Sequence, residues 1–268
     1  MKPFMKWAGG KRQLLDELTQ RLPKQYGCYY EPFLGCGALL LHLTPEKAVV
    51  GDINARLINL WLQIRDNLPI LLREISWFER TLCTRTKYEN MRYEYNLLKD
   101  KNSISAAATL WWINAHCFNG LYRVSSNGNF NVPWNQKENI VQPDISNLQE
   151  IATYLTRIDI GARSYQSTCA TVEEGDFVYF DPPYDPISDT ARFTSYTEQN
   201  FVRADQEELA AFVADLTKRN VMVMVSNNDT PLVRQLYFPY KIETVVVRRN
   251  INSDWKKRTG SEVIITNY

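Results

Sequence analysis

A pair of consecutive prolines at the end of a buried strand limits how this chain can fold. Residues 176–180 are mostly apolar, aromatic and β-branched, a pattern typical of a strand buried on both faces. Pro182 and Pro183 cannot donate to a sheet ladder, so the strand must stop and the chain must leave the sheet in a fixed direction. A carboxylate (Asp181) and an aromatic ring (Tyr184) are thereby held at a strand's carboxyl end, where open α/β sheets bind ligands. A proline-rich turn with an incidental tyrosine is the alternative, and the rest of the chain must decide between them.

Composition excludes several classes of function. The chain has 268 residues, 44% of them hydrophobic, which allows one large domain or one domain carrying an insert. Its five cysteines form an odd set without a C-x-x-C pair, and there are only two histidines, so neither a disulfide framework nor a structural zinc site is expected. The same scarcity excludes a zinc-dependent deaminase. We therefore expect a protein without metal and with reduced thiols.

Charge and hydropathy bear on location and partners. The net charge of +1 neither demands nor excludes nucleic acid, because only the distribution of charge matters for that. The N-terminus carries basic residues but lacks the apolar core of a signal peptide, and no apolar run approaches the ~20 residues of a membrane span. We expect an intracellular, cytoplasmic protein that does not enter a membrane.

A glycine pair near the N-terminus opens the first predicted helix. Gly9 and Gly10 precede residues 13–22, whose apolar positions follow a helical period. A glycine turn exposes backbone N–H groups at the positive end of the helix, and Lys11 adds a full charge there. That arrangement suits a carboxylate or a phosphate. An ordinary glycine turn with surface lysines is the alternative.

A second glycine turn follows the first predicted strand. The strand ends at Phe33, the turn contains Gly35 and Gly37, and an apolar helix comes next. A G-x-G at that place lets a ligand approach the backbone closely. The next predicted strand ends in Asp52, where a carboxylate can accept hydrogen bonds from a ribose diol. Glu31 is either a second polar contact or a cap for the loop.

Helical periodicity replaces the strand–helix rhythm between residues 54 and 155, so we interpret residues 56–155 as an insert. Residues 118–133 within it contain Asn127-Gly128 between two short β-type runs, the strongest short hairpin signal a sequence offers. The tip and flanks carry Asn, Arg and aromatic residues, which we expect on the surface rather than in the core. Such a ribbon can enter a major groove or wedge a side chain between bases. A plain surface hairpin is the alternative.

The strand–helix rhythm returns near residue 158, so residues 1–55 and 156–268 are expected to form one catalytic domain. Further predicted elements are a helix at 205–216 and strands at 221–225, 242–247 and 262–266. The polar stretch 188–200 is a candidate lid beside the site. The basic run within 241–258 is either a solvated loop or a patch that contacts phosphates.

Together these motifs resemble the alpha group of the Dam-type DNA adenine-N6 methyltransferases. The shared motifs run from Lys6 to the end of the chain, in the order K-W-A-G-G-K, E-P-F-L-G-C-G, F-N-G-L-Y-R, D-P-P-Y, F-T-S-Y and S-N-N-D-T. The resemblance implies an α/β fold, a doubly wound, Rossmann-like methyltransferase sheet with an inserted helical target-recognition domain that carries a β-hairpin. It also implies S-adenosylmethionine (S-adenosyl-L-methionine) as methyl donor and double-stranded DNA as substrate, and we expect a monomer in solution.

The resemblance assigns roles to the residues of the crevice. Asp181 and Pro182 would accept hydrogen bonds from the target amino group, with Tyr184 stacked on the base. Those two bonds would turn the delocalised N6 lone pair toward the methyl group, and the carboxylate would stabilise the developing charge. The base must leave the duplex to reach them. The expected cofactor contacts are Trp7, Lys11, Phe33, Gly35, Gly37, Asp52 and Asp181.

The resemblance also implies how DNA is read. The expected DNA contacts are Lys6, Phe118, Asn119, Leu121, Arg123 and Pro133. Arg123 is the side chain best shaped for a guanine edge, Phe118 occupies the place of an intercalating aromatic ring, and the implied target is GATC. After Pro133 many relatives have a basic run where this chain has Trp-Asn-Gln-Lys-Glu, and this departure bears on recognition of the outer base pair.

Three other functions remain compatible with these motifs. An RNA adenine-N6 methyltransferase shares D-P-P-Y and G-x-G, although the long insert with its hairpin disfavours it. A DNA cytosine-N4 methyltransferase would use nearly identical chemistry. A non-catalytic DNA-binding module of the same shape is disfavoured because Asp52, Asp181 and Tyr184 are all present.

Overall fold

Seven strands form one sheet in the order β3-β2-β1-β4-β5-β7-β6. The computed structural model of the protein describes residues 1–7, 9–186, 201–248 and 259–268. The strands are β1 (Tyr29–Glu31), β2 (Ala48–Asp52), β3 (Asp159–Ala162), β4 (Phe177–Phe180), β5 (Met222–Asn228), β6 (Lys241–Arg248) and β7 (Thr259–Thr266). The first five strands in this order run parallel, and β7 is antiparallel to both β5 and β6. This topology confirms the predicted doubly wound α/β fold.

Helices flank the sheet, and four of those described, including the longest, lie between β2 and β3 in the chain. They are α1 (Leu15–Thr19), α2 (Ala38–Leu43), α3 (Ala55–Phe78), α4 (Arg85–Leu97), α5 (Ile104–His116), α6 (Ile145–Leu155), α7 (Tyr165–Thr168), α8 (Arg203–Lys218) and α9 (Pro231–Leu236). Helices α3 to α6 each begin at a polar side chain that accepts a backbone N–H of the first turn, in the order Asn54, Thr84, Ser103 and Asp144. Helix α3 is a single element that bends at Asn67, two residues before Pro69.

Strand β4 is buried along its whole length, and its alternate residues enter two separate cores. Phe177 and Tyr179 belong to the larger core, together with residues of α2, α3 and α5. Val178 and Phe180 face the smaller core, which contains Leu209 of α8. The sheet is therefore covered on both faces, as its continuous apolar strand requires.

The site of interest lies where the strand order changes direction. β1 and β4 are parallel neighbours, with β2 on the far side of β1 and β5 on the far side of β4. Their carboxyl ends therefore open into one crevice, which is the position where doubly wound sheets bind ligands. The glycine turn after β1 and the double-proline turn after β4 both begin at this crevice.

The segment between α5 and α6 folds back on itself. Cys117 pairs with Trp134 and Val124 with Phe130 in antiparallel bridges. The expectation that its aromatic residues lie on the surface is wrong for Tyr122 and Phe130, which are 5% and 1% exposed. Alternate residues of this hairpin point inward and pack in the larger core, which also contains residues of helices α3 to α6. The boundaries of the insert stay a prediction.

Two predicted features, the lid at 188–200 and the basic residues at 249–258, lie outside the described residues. Within the described ranges, no helix is long and apolar enough to cross a membrane. Over the same ranges, His, Cys, Asp and Glu side chains form no group of three that could hold a metal ion.

Candidate active site

A buried lysine and the carboxylate of the double-proline turn form the centre of the crevice. Lys11 Nζ lies 2.8 Å from Asp181 Oδ1, and the two side chains are only 7% and 19% exposed. The same Nζ donates to the Gly9 carbonyl at 2.6 Å and lies 4.4 Å from the centre of the Tyr184 ring. The fold thus brings Lys11 next to Asp181 and Tyr184, although at least 170 positions of the chain separate the lysine from either residue.

Two hydroxyl groups support Asp181 from inside the protein. Ser226 Oγ donates to Asp181 Oδ1 at 2.9 Å, and Tyr179 OH lies 2.9 Å from Ser226 Oγ. Because the Ser226 proton is directed at the carboxylate, Tyr179 must donate to Ser226. Burial raises the pKa of Asp181, while the charge of Lys11 and the bonds from Lys11 and Ser226 oppose that rise.

The rest of the turn is also fastened to its neighbours. Gln206 Nε2 donates to the Pro183 carbonyl at 2.9 Å, and the Asp185 backbone N–H donates to Asn227 Oδ1 at 3.0 Å. Tyr184 OH donates to Glu262 Oε2 at 2.8 Å, which holds the hydroxyl end of the ring in place. The Pro182 carbonyl accepts no hydrogen bond from the described part of the chain, so within it the oxygen is available as an acceptor.

These supporting residues are absent from the sequence-based site. The prediction ended β5 at residue 225, whereas the strand continues through Asn228. Ser226 and Asn227 are fully buried polar residues at the carboxyl end of a central strand. Polar side chains in that position are a usable signal, because that edge of the sheet binds ligands.

The glycine turn after β1 is fastened to the end of β2. Asp52 Oδ2 accepts the Gly35 N–H at 2.9 Å, and Asp52 Oδ1 accepts the Asn54 N–H at 2.9 Å. Gly35 has φ +49°, and a Cβ there would lie 3.1 Å from the Trp7 ring, so only glycine suits the turn. Gly37 ends the turn as the N-cap of α2. Burial raises the pKa of Asp52, and the two backbone bonds lower it.

The same region offers groups that fit a nucleoside. Each Asp52 oxygen accepts one bond and keeps a second lone pair, which a ribose hydroxyl can use. Asn54 Nδ2 is buried and has no acceptor among the described residues. The half-buried Phe33 ring, stacked 5.7 Å from Tyr165, provides an aromatic wall. An acceptor, a donor and an apolar surface are therefore within one crevice.

Glu31 lies inside the protein, 3% exposed, instead of capping the loop as one expectation had it. Tyr29 OH donates to Glu31 Oε2 at 2.8 Å. Burial raises the pKa of Glu31 to about 8, with a further contribution from the charge of Asp181 and an opposing one from the Tyr29 hydroxyl.

The residues expected to contact DNA lie along the hairpin and the N-terminal segment. Lys6 packs on Gly120, where an added Cβ would come within 2.3 Å of Lys6 Cβ. Trp7, which touches Gly35, stacks on Tyr122 with ring centres 5.0 Å apart. The N-terminal segment therefore joins the hairpin to the crevice. Among the expected DNA contacts, Lys6, Phe118, Asn119, Arg123 and Pro133 are exposed and Leu121 is half-buried.

Comparison with known proteins gives this arrangement a family. Residues 7–251 match the family model described as D12 class N6 adenine-specific DNA methyltransferase. The type II methyltransferase M1.LlaDCHI of Lactococcus lactis subsp. cremoris is 37% identical, with 100% of this chain and 96% of the relative aligned. The type II methyltransferase M.MjaIII of Methanocaldococcus jannaschii is 33% identical, with 100% and 99% aligned. The DNA adenine methylase of Escherichia coli K12 is 33% identical, with 100% and 95% aligned.

Both the extent of the match and the crevice agree with the resemblance drawn from the motifs. The family description specifies adenine and DNA, which disfavours the RNA and cytosine alternatives. The relatives are named as methyltransferases, which disfavours a non-catalytic module. This chain belongs to the D12 class N6 adenine-specific DNA methyltransferases.

Proposed function

We propose that the protein transfers the methyl group of S-adenosylmethionine to N6 of an adenine flipped out of duplex DNA, within GATC. The observation that carries the proposal is the environment of the Asp181 carboxylate. Lys11 Nζ and Ser226 Oγ both donate to Oδ1. Oδ2 would then accept from the substrate, next to the Pro182 carbonyl, which accepts no hydrogen bond within the described part of the chain.

These two acceptors suit the two hydrogens of an adenine amino group. The N6 lone pair is delocalised into the purine ring and is a poor nucleophile while the group stays planar. Asp181 Oδ2 and the Pro182 carbonyl would each accept one hydrogen, which directs the lone pair out of the ring plane. As the bond between N6 and the methyl carbon forms, the bond from that carbon to the sulfonium sulfur would break and leave a neutral thioether. The carboxylate would stabilise the positive charge that develops on N6 until N6 releases one proton, an effect of several kcal/mol at most. Positioning supplies most of the remaining rate enhancement.

A base can reach this carboxylate only after it leaves the duplex, which costs stacking energy. The Tyr184 ring would restore part of that stacking. Its hydroxyl group is bonded to Glu262 at 2.8 Å, so the ring is oriented before the base arrives. Preorganisation of this kind reduces the entropy lost on binding.

The methyl donor would be held on the β1–β2 side of the crevice. When bound, S-adenosylmethionine supplies an electrophilic methyl group attached to a sulfonium sulfur. Asp52 would accept the ribose hydroxyls, while Phe33, Gly35 and Gly37 would line the pocket. Trp7 and Lys11 would complete it, with the Lys11 charge near the donor's carboxylate. The buried Asn54 amide, which has no acceptor among the described residues, supports this placement.

Sequence reading would fall to the hairpin. Arg123 is exposed and would contact a guanine edge, with Leu121 beside it and Phe118 inserted between bases. Phe118 is 47% exposed, so its ring is accessible to a base. The GATC target rests on the resemblance of Leu121 and Arg123 to the family's base-reading residues. We expect the enzyme to act as a monomer.

Transfer of labelled methyl groups tests the whole proposal. The protein would be incubated with labelled S-adenosylmethionine and a GATC duplex, a scrambled duplex or RNA, and the methylated nucleosides would then be identified. N6-methyladenine confined to GATC is the expected result. N6-methyladenine at another sequence would refute the GATC target alone. Label in N4-methylcytosine, in RNA only, or nowhere would refute the proposed reaction.

The variant Asp181→Asn tests the role of the carboxylate. The amide oxygen still offers Lys11 an acceptor, but the NH₂ group replaces the other oxygen and cannot accept a hydrogen of the adenine amino group. We expect turnover to fall by a factor of about 10² or more, with donor affinity close to that of the wild type. Single-turnover methylation and equilibrium binding of the donor measure the two effects. Asp66→Asn, at an exposed ion pair, is the control, and a D181N enzyme with most of its rate would contradict the role.

A further inference from the structure

A cross-strand pair in the hairpin fixes the direction of the arginine proposed to read a base. Arg123 Nε donates to Asn131 Oδ1 at 2.7 Å, and Arg123 Nη2 donates to the Asn131 carbonyl at 3.3 Å. The Asn131 backbone N–H in turn donates to the Arg123 carbonyl at 3.1 Å. One asparagine therefore contacts both the side chain and the backbone of the arginine opposite it.

The pattern of these bonds determines which part of the guanidinium group remains for DNA. Arginine has five N–H donors, one on Nε and two on each terminal nitrogen. Asn131 takes the Nε donor and one donor of Nη2, so the fork on the side of the group is occupied. Within the described ranges of the chain, the fork at its end, with Nη1 and the second hydrogen of Nη2, donates to no acceptor. That fork matches the O6 and N7 acceptors of guanine.

Asn131 is itself held from two directions. Its neighbours Phe130 and Val132 are each 1% exposed and point into the larger core. From helix α4, Asn96 accepts the Phe130 N–H at 2.8 Å and donates to the Phe130 carbonyl at 3.0 Å. Tyr88 OH donates to the Val132 carbonyl at 2.8 Å, and Arg92 Nη1 donates to the same oxygen at 3.1 Å.

These three helical residues are four positions apart, so they lie on one face of α4. Side chains of helix α4 form hydrogen bonds with backbone groups at the edge of the hairpin, where a third strand would otherwise pair. The backbone on both sides of Asn131 is therefore fixed, so the Asn131 side chain offers Arg123 an acceptor at a fixed position.

We infer that Asn131 is a positioning residue for base recognition, which holds Arg123 with its end fork toward a guanine. The inference rests on the proposed function and adds a determinant of specificity to it. An unrestrained arginine on a surface loses considerable rotamer entropy when it docks. Asn131 restricts the Arg123 rotamers before DNA binds, so less entropy is lost on binding. This gain applies only to the orientation in which the end fork faces guanine.

Methylation of a duplex pool with randomised bases around an adenine tests the inference. Sequencing of the methylated products gives the preference at each position for the wild type and for variants. Arg123→Ala should abolish the preference for guanine at one position, and Asn131→Ala should reduce it about tenfold at that same position. Asn131→Asp keeps the acceptor and should retain the preference, while its negative charge raises the KM for DNA. Asn129→Ala, the matched asparagine two residues earlier on the same exposed side, should leave every position unchanged.

A double variant separates positioning from a general effect on the hairpin. If Asn131 acts through Arg123, the double variant should show no less preference than Arg123→Ala alone. An N131A protein that keeps the wild-type preference, or loses it equally at all positions, would overturn the inference. The same holds if Arg123→Ala leaves every preference intact, which refutes the reading role of Arg123. A wild-type protein that methylates no DNA would instead refute the proposed function, and that result is visible before any variant is made.

Discussion

The contact between Gly120 and Lys6 leads to a prediction whose size can be worked out from the structure. Gly120 has φ +63°, and an added Cβ would lie 2.3 Å from Lys6 Cβ. Its carbonyl accepts a bond from the buried Asn114 side chain at 3.0 Å, so the backbone cannot simply rotate away. The substitution Gly120→Ala therefore meets two separate obstacles, a left-handed backbone and a neighbour that is too close.

Each obstacle has a typical free-energy cost. A left-handed conformation costs a residue with a Cβ about 1–2 kcal/mol. Overpacking against atoms that cannot move freely costs about 1–3 kcal/mol more, and a Cβ is not the flexible end of a side chain. We expect Gly120→Ala to reduce the free energy of unfolding by about 2–5 kcal/mol.

Gly175 provides a matched control, because its φ is +81° and an added Cβ would meet nothing within 4 Å. Gly175→Ala should therefore cost only the backbone part, about 1–2 kcal/mol. Urea unfolding of both variants measures the difference. Lys6→Gly removes the opposing Cβ and should restore part of the loss in Gly120→Ala, whereas Lys6→Ala keeps that Cβ and should not. Equal losses at the two glycines, or equal effects of the two Lys6 substitutions, would refute the described packing.

Two further predictions concern buried ionisable groups. Ser226→Ala removes a donor to Asp181, so the pKa of that carboxyl should rise further above its ordinary range. Because the ionised form is the acceptor, the acidic limb of the pH–rate profile should move to higher pH, and an unmoved limb would contradict the role of Ser226. Glu31, with its pKa raised to about 8 from 4.5, makes the folded protein bind a proton that the unfolded chain releases. Stability should therefore fall as pH rises between those values, and Glu31→Gln should flatten that slope in thermal unfolding; equal slopes would exclude Glu31 as the group.

Local patterns predicted the parts of the fold that neighbouring residues control. The buried strand before Pro182 and the acidic end of β2 at Asp52 were both predicted, because apolar runs and turn residues are written in consecutive positions. The doubly wound arrangement followed from the family resemblance and not from the strands themselves, and the order of the strands was not predicted. A pairing between distant strands has no local signal.

The site was predictable to the extent that its residues lie in motifs. Asp181 and Tyr184 were identified, but their partner Glu262 was not, because it belongs to another strand and meets the turn only in the folded chain. Ser226 begins the shared motif S-N-N-D-T, but it had no assigned role, because its contact with Asp181 also forms only in the folded chain. The inward orientation of Tyr122 was missed for a different reason. Its hairpin alternates between core and surface, and aromatic residues near a turn were interpreted as a surface feature.

The N-terminal segment has a consequence for attempts to change which sequence the enzyme methylates. Lys6 supports Gly120, and Trp7 is stacked on Tyr122, so the middle and the last residue of the motif F-N-G-L-Y rest on this short segment. Lys11, four residues after Trp7, is paired with Asp181. A hairpin taken from another family member would therefore pack on residues 6 and 7 of this chain, with which it did not evolve, unless those two residues were exchanged as well. The unit that engineers should exchange is the hairpin together with its N-terminal support, with Lys11 left in place for the chemistry.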